Sequence, residues 1–349
     1  MTAFIPRTIQ SLSCLVIVSF LFFSCFKKQG HEAIGPELPN YTVSGRVFHS
    51  VTNEPLPGAR VIIEDQSALT DSLGQYTISN VPGGASHNVT VTKAYFETFE
   101  TILLLGYADL DSFDIILGKI IYFSDRFQGP YREPNGLCWT GDNPWSSDGL
   151  RKRIYRLNGT LNWVNYLDSP GSFPPKEKYT TPYGLTATQE GETRYLWVSV
   201  AFDDGAAYTY KSAVRSDATL STEARYKTPN SVYGPDVTVL LDDLTYDGAH
   251  LWSCSAREHK IYKHQNDMNV IETYDPPDER PSGIAWDGSN FWLTTQRSNR
   301  LYLLNGDNLT STGYYVLQES PVTGLEYRDG FLWACKHGRT GWFYKYRIE

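Results

Sequence analysis

The chain has 349 residues, 31 basic and 39 acidic, for a formal net charge of −8. No basic run is present to neutralise phosphates, which argues against nucleic acid as a partner. A composition that is 41% hydrophobic and 20% charged, with 24 Tyr and only 2 Met, describes a folded chain of two or three domains, Gly- and Pro-punctuated and all-β.

The first predicted element is a targeting segment. Arg7 gives a positive start, and Leu12 to Phe26 is almost wholly apolar. That run is shorter than the roughly 20 residues a spanning helix needs and suits a signal peptide over residues 1–24. Its end, Leu21-Phe22-Phe23-Ser24-Cys25, resembles a bacterial lipobox. The resemblance implies that Cys25 is lipidated, becomes the first mature residue and holds the protein to a membrane. Phe26 in place of Asp implies sorting to the outer membrane of a cell envelope, on its periplasmic or surface face. Residues 25–40 then read as a lipidated tether. Cys138, Cys254 and Cys335 remain, an odd number without a CxxC pair. They read as small buried hydrophobes, with one bridge left open.

Residues 41–118 come next. YTVSGRVFHS, ARVIIED, QYTISNV and HNVTVTK alternate apolar and polar residues between Gly/Pro/Asn/Asp turns, so a small antiparallel sandwich is predicted. Val61, Ile63, Tyr76 and Ile78 should face its core, and Gly74 and Gly83 should serve turns. Gly45-Arg46-Val47, Pro55 to Val61, Thr70 to Tyr76 and Val81-Pro82-Gly83-Gly84 resemble the carboxypeptidase regulatory-like, or transthyretin-like, domain. The resemblance implies a carbohydrate-binding-like fold acting as spacer or interaction module, without catalytic residues.

Residues 119–349 carry a repeat. Gly136-Leu-x-Trp leads to Trp145 and Tyr155, Asp243-Leu-x-Tyr to Trp252 and Tyr262, Gly283-Ile-x-Trp to Trp292 and Tyr302, and Gly324-Leu-x-Tyr to Trp333 and Phe343, at intervals of nine and ten. In the remaining copy Gly184 reaches Trp197 only after thirteen, through an insertion at Gln189 to Arg194. About four short strands per unit predict a five-bladed β-propeller. LNWVNYL, EARYKT, VIETYD and GYYVLQ are candidate outer strands for four blades. The fifth copy has none, so residues 119–126 should supply it and latch the ring. The repeated Trp residues read as frame between blades.

A binding site belongs where loops vary over a constant frame. One ring of candidates sits at the start of each inner strand: Asn135, Tyr183, Asp242 with Asp243, Ser282 and Thr323. A second ring follows each second-strand Trp: Asp148, Asp203 with Asp204, Arg257 with Glu258 and His259, Gln296 with Arg297, and Lys336 with His337 and Arg339. The mixed charges suit a glycan, a peptide or an envelope protein. Asp242 and Asp243 have the ligand chemistry for calcium at the channel mouth. His259 and His264 read as surface histidines on opposite faces. No GxSxG, HExxH or P-loop motif is present. Gly283 to Leu293 resembles the blades of glutaminyl cyclotransferases and, more loosely, of NHL-type and streptogramin-lyase-type propellers. The Asn-Glu-Leu-Glu and Thr-Gly-Lys-x-Trp-Pro segments of the cyclotransferases are absent. The expected function is non-catalytic binding at the channel mouth of an envelope lipoprotein. The alternatives are an envelope enzyme of cyclotransferase or lactonase kind, and a structural assembly component.

Overall fold

A computed structural model describes residues 38–129, 131–169, 180–217, 219–231, 238–319, 322–336 and 341–348. The predicted leader, Cys25, most of the tether, His337 and Arg339 lie outside these residues.

Seven strands build the first domain: β1 (Asn40–His49), β2 (Arg60–Ile63), β3 (Gln66–Leu69), β4 (Gln75–Pro82), β5 (Ala85–Thr92), β6 (Phe99–Leu105) and β7 (Ile115–Leu117). They form two sheets, β4-β1-β7 and β3-β2-β5-β6. Alternation at period two puts Val61, Ile63, Tyr76 and Ile78 into one buried core with Val43, Val89 and Val91. Gly74 (φ +71°) closes a turn in which the Asp71 carboxylate accepts the N–H groups of Leu73 and Gln75, each at 2.8 Å. The sandwich departs from a purely antiparallel plan, because β7 joins β1 in parallel.

Two short strands follow, β8 (Ile120–Ile121) and β9 (Phe123–Gln128). The blades come in order. The first holds β10 (Pro134–Thr140), β11 (Asn143–Asp148), β12 (Arg153–Leu157) and β13 (Trp163–Asp168). The second holds β14 (Thr180–Glu190), β15 (Thr193–Phe202), β16 (Ala207–Val214) and β17 (Leu220–Lys227). The third holds β18 (Asp243–Tyr246), β19 (Leu251–Ser255), β20 (Lys260–His264) and β21 (Val270–Tyr274). The fourth holds β22 (Pro281–Trp286), β23 (Asn290–Thr295), β24 (Arg300–Asn305) and β25 (Ser311–Leu317). The fifth starts with β26 (Gly324–Arg328), β27 (Phe331–Lys336) and β28 (Trp342–Arg347).

The segment expected to supply the fifth blade's outer strand is divided. Phe123–Gln128 pairs antiparallel with β28, while Ile120–Ile121 adds in parallel to β25 of the fourth blade. Each of the remaining buried clusters spans two neighbouring blades, and one joins Leu137 and Tyr155 of the first to Cys335 and Phe343 of the fifth.

The second-strand Trp residues serve this packing. The Trp252 ring lies 4.6 Å from that of Phe291 on the next blade. Burying an indole strands its N–H unless a partner is at hand. Asp247 and Asp287, in the hairpins after the inner strands, accept from Trp252 and Trp292 at 2.7 and 2.8 Å. Thr140 and Thr188 do so for Trp145 and Trp197 at 2.8 and 2.9 Å.

Sandwich and propeller belong to one compact unit, Pro39–Glu349. Glu97 of the first domain accepts from Gly118 N (2.9 Å) and Tyr314 Oη, and pairs with Arg300 at 3.5 Å. Gly313 passes so near the sandwich that a Cβ there would lie 2.1 Å from Ser50 O.

Candidate functional site

The inner strands approach one another too closely for side chains. A Cβ on Gly184 would lie 2.3 Å from Asp243 Cα, and one on Gly324 2.7 Å from Asn135 O. Backbone contact between neighbours explains why this repeat position is Gly in four blades. The third blade has Asp243 instead. It is fully buried, and its Oδ2 accepts the N–H groups of Ile284 and Leu325, both at 2.9 Å, on the fourth and fifth blades. Oδ1 has no hydrogen-bond partner. Burial raises its pKa well above 3.8, against the pull of the backbone N–H groups, and Glu326 raises it further. Burial likewise pushes Glu326 up to about 8. Cys138, Cys254 and Cys335 are free and buried in the same region, with thiol pKa values raised by burial.

Asp243 is therefore not a mouth residue but a clasp between blades. Ser282 is a second correction: it is buried, and its hydroxyl donates to Val322 O at 3.0 Å. Asn135 is also buried, with its Nδ2 donating to Pro182 O at 3.0 Å. Thr323 reaches back to Pro134 O at 3.2 Å. Pairing irregularities after Pro134 and Pro281 fall at Asn135 and Ser282, whose amide and hydroxyl turn onto a neighbouring blade.

Two residues of this ring, Asp242 and Tyr183, are left less enclosed. Asp242 is half-buried, and its Oδ2 accepts Ala256 N at 2.7 Å. Burial raises its pKa to about 7, opposed by Ala256 N–H and by the charge of Arg280. Tyr183 is raised by burial and by the neighbouring Asp242. Arg280 is held from the fourth blade: its Nε donates to Gln296 Oε1 at 3.1 Å, and its carbonyl accepts Gln296 N at 2.9 Å. Asp242, Tyr183, Arg280 and Gln296 thus form a polar group contributed by three blades. Arg280 was not among the sequence candidates, although it stands two residues before Ser282.

The other candidates are mostly engaged locally. Arg297 is exposed and pairs with exposed Glu279. Lys336 pairs with Glu319, and Lys152 with Asp203 at 3.7 Å. Asp148 is buried, its Oδ1 accepting Leu150 N at 2.9 Å and Arg151 N at 3.1 Å. Asp204 accepts Ala206 N at 3.1 Å, and Glu258 accepts Ser231 Oγ at 2.5 Å. His259 accepts Arg280 N at 3.4 Å. His264 is buried, not at the surface, bonded to Ser253 Oγ at 2.7 Å and Met268 O at 3.2 Å, with its pKa lowered by burial to about 4. Asp242 and Asp243 point to different partners, and no three His, Cys, Asp or Glu among the described residues gather as metal ligands.

Residues 42–115 match the family of the carboxypeptidase regulatory-like domain. A comparison with curated proteins returned no match. Among solved structures, the chain is similar to Myxococcus xanthus glutaminyl cyclase at 12% identity and a TM-score of 0.47, over 65% of this chain and 95% of that one. A protein of unknown function from Bacteroides caccae is similar at 8% identity and a TM-score of 0.42, over 80% of this chain and 83% of that one. Regucalcin from Agrobacterium tumefaciens is similar at 8% identity and a TM-score of 0.41, over 66% of this chain and 97% of that one. The two-sheet segment before the blades is thus a carboxypeptidase regulatory-like domain.

Proposed function

We propose that the protein is a cell-envelope lipoprotein, anchored through Cys25, whose propeller mouth binds a polar ligand (a glycan, a peptide or a protein partner) without chemistry. The observation that carries this reading is the group Asp242, Tyr183, Arg280 and Gln296. Three blades contribute to it, and unlike the rest of the rim it includes a carboxylate poised to change charge near neutrality. A glycan-array and peptide-library screen of the protein, repeated with Asp242→Ala and Arg280→Ala, tests it. Each substitution should weaken the hits about tenfold or more. A ligand that needs the Asp242 carboxylate should bind more tightly at pH 8 than at pH 6, and Asp242→Asn should flatten that dependence. Hits that bind both alanine variants like wild type would place recognition elsewhere. Palmitate labelling lost in Cys25→Ser tests the anchor, and unchanged labelling would refute it.

A second reading, an envelope enzyme of the glutaminyl cyclotransferase or lactonase-like kind, draws on the same carboxyl. A group titrating near 7 is suited to general-base work. Turnover of amino-terminal glutaminyl peptides or of lactones, lost in Asp242→Asn, would favour it over simple binding.

A further inference from the structure

The insertion that sets the second blade apart has a use that the mouth does not explain. Its residues Gln189 to Arg194 lengthen the hairpin between β14 and β15, at the opposite end of the inner strands from the mouth. Gln189, Glu192 and Arg194 form one wall of a cleft of about 310 Å3. The first blade's Asn143 and Arg156 and the second blade's Arg215 complete it.

Three arginines line it, Arg156 half-buried and Arg194 and Arg215 exposed. Two of them donate to neutral oxygens, and Arg215 also feels the charge of Asp217. Arg156 Nη2 donates to Asn143 Oδ1 at 2.8 Å, and Arg215 Nη2 to Ser221 Oγ at 2.9 Å. Arg194 lies over the bare turn at Gly141 (φ +62°), where a Cβ would stand 2.5 Å from its Nη1. Among the described residues no ion pair engages any of the three. Glu192 is the one acid lining the cleft and Asp217 shares its charge with Arg215, so the lining itself carries more arginine than acid in a protein whose net charge is −8. Like charges held together repel, and an anion between them relieves that repulsion. Guanidinium forks match the oxygens of a tetrahedral oxyanion, and the amides and hydroxyls around them suit a hydroxylated carrier. The volume is at the lower end of small-molecule sites, about 300–1,000 Å3.

We propose that this cleft between the first and second blades is an anion-binding site for a phosphate or sulfate ester group on a small, sugar-sized molecule. The site is independent of the mouth and of whatever the mouth binds.

Isothermal titration of the full chain at fixed ionic strength tests it, with inorganic phosphate, inorganic sulfate, glucose 6-phosphate and glucose 6-sulfate as probes and glucose as the uncharged control. The esters should bind and glucose should not. Arg194→Ala and Arg156→Gln should each weaken binding about tenfold or more, while Arg297→Ala, at the mouth, leaves it unchanged. Unaltered thermal unfolding of the two cleft variants keeps the result separate from misfolding. Esters that bind more tightly than the free ions identify the ester as ligand. Free ions that bind as tightly as the esters overturn the ester and leave a site for inorganic oxyanion. No heat from any anion at about 10 mM, or variants that bind like wild type, overturns the site itself.

Discussion

Asp243 makes a sharp test of how the blades hold together. Replacing it with Gly restores the residue of the other four blades and removes Oδ2 from Ile284 N and Leu325 N. Each buried N–H left without a partner costs about 1–3 kcal/mol, so Asp243→Gly should lose about 2–6 kcal/mol. For a propeller-sized domain that is a fall in Tm on the order of 5–20 °C. Asp243→Asn keeps a carbonyl oxygen for both donors and should fall far less. A second readout separates the carboxyl from its shape. Its folded pKa lies well above its ordinary 3.8, so the folded state holds a proton that the unfolded chain releases. The stability this proton contributes is complete below about pH 4 and is lost as pH rises toward the folded pKa. Asparagine cannot titrate, so the stability of Asp243→Asn relative to wild type should rise with pH from there up to the folded pKa. Thermal and urea unfolding followed by tryptophan fluorescence at pH 5, 6, 7 and 8 gives both numbers. Equal stability of the Gly and Asn variants at every pH would refute the clasp.

Three further outcomes follow from the frame. Gly184→Ala should lose about 3 kcal/mol or more and fail to refold cooperatively, since its methyl would overlap the Asp243 backbone; a near-normal urea midpoint would contradict the close approach. Asp287→Ala should cost about 2–4 kcal/mol, because the Trp292 indole and the Ser289 and Asn290 amides lose their acceptor together, and a matching loss in Asp247→Ala would make this a property of the hairpin rather than of one site. Glu97→Ala should let the first domain unfold ahead of the propeller, seen by calorimetry as a split transition; a single unshifted peak would mean that the backbone contact at Gly313 holds the two without it.

Much of the fold was legible because it repeats. Intervals of nine residues from Gly or Asp to Trp, and of ten from Trp to the next aromatic, mark strands in four blades, and β13, β17, β21 and β25 fall on the predicted outer strands. The regulatory-like domain was legible because its turns carry special residues, as at Asp71 and Gly74. Strands β3, β6 and β7 escaped notice. Their pattern is weak: Leu69, Ile102, Leu104 and Ile116 are exposed, so the apolar residues do not all mark one face. Dividing 119–128 between two blades also could not be read from composition, since Ile120 and Phe123 suit either edge.

The site was legible only to the nearest residue, and one residue decides everything in a strand. Asp242 and Asp243 are chemically identical neighbours. The first stays half-buried, beside Arg280 and Tyr183, and titrates near 7; the second points into the ring and clasps two blades. A step of one flips a side chain to the other face, and Asp242 stands just before β18, where the period-two pattern has not yet begun. Arg280 was missed for a related reason. It lies outside the repeat, has a left-handed φ of +59°, and its guanidinium is held by Gln296, which follows the next second-strand Trp. The insertion at Gln189 to Arg194 shows the converse. It broke the repeat visibly, and it is where the chain departs from what packing alone requires. A propeller needs its Trp residues, its glycines and its hairpin acids to stand. It does not need three arginines lining one cleft between two blades, which is the reason to seek an anion there.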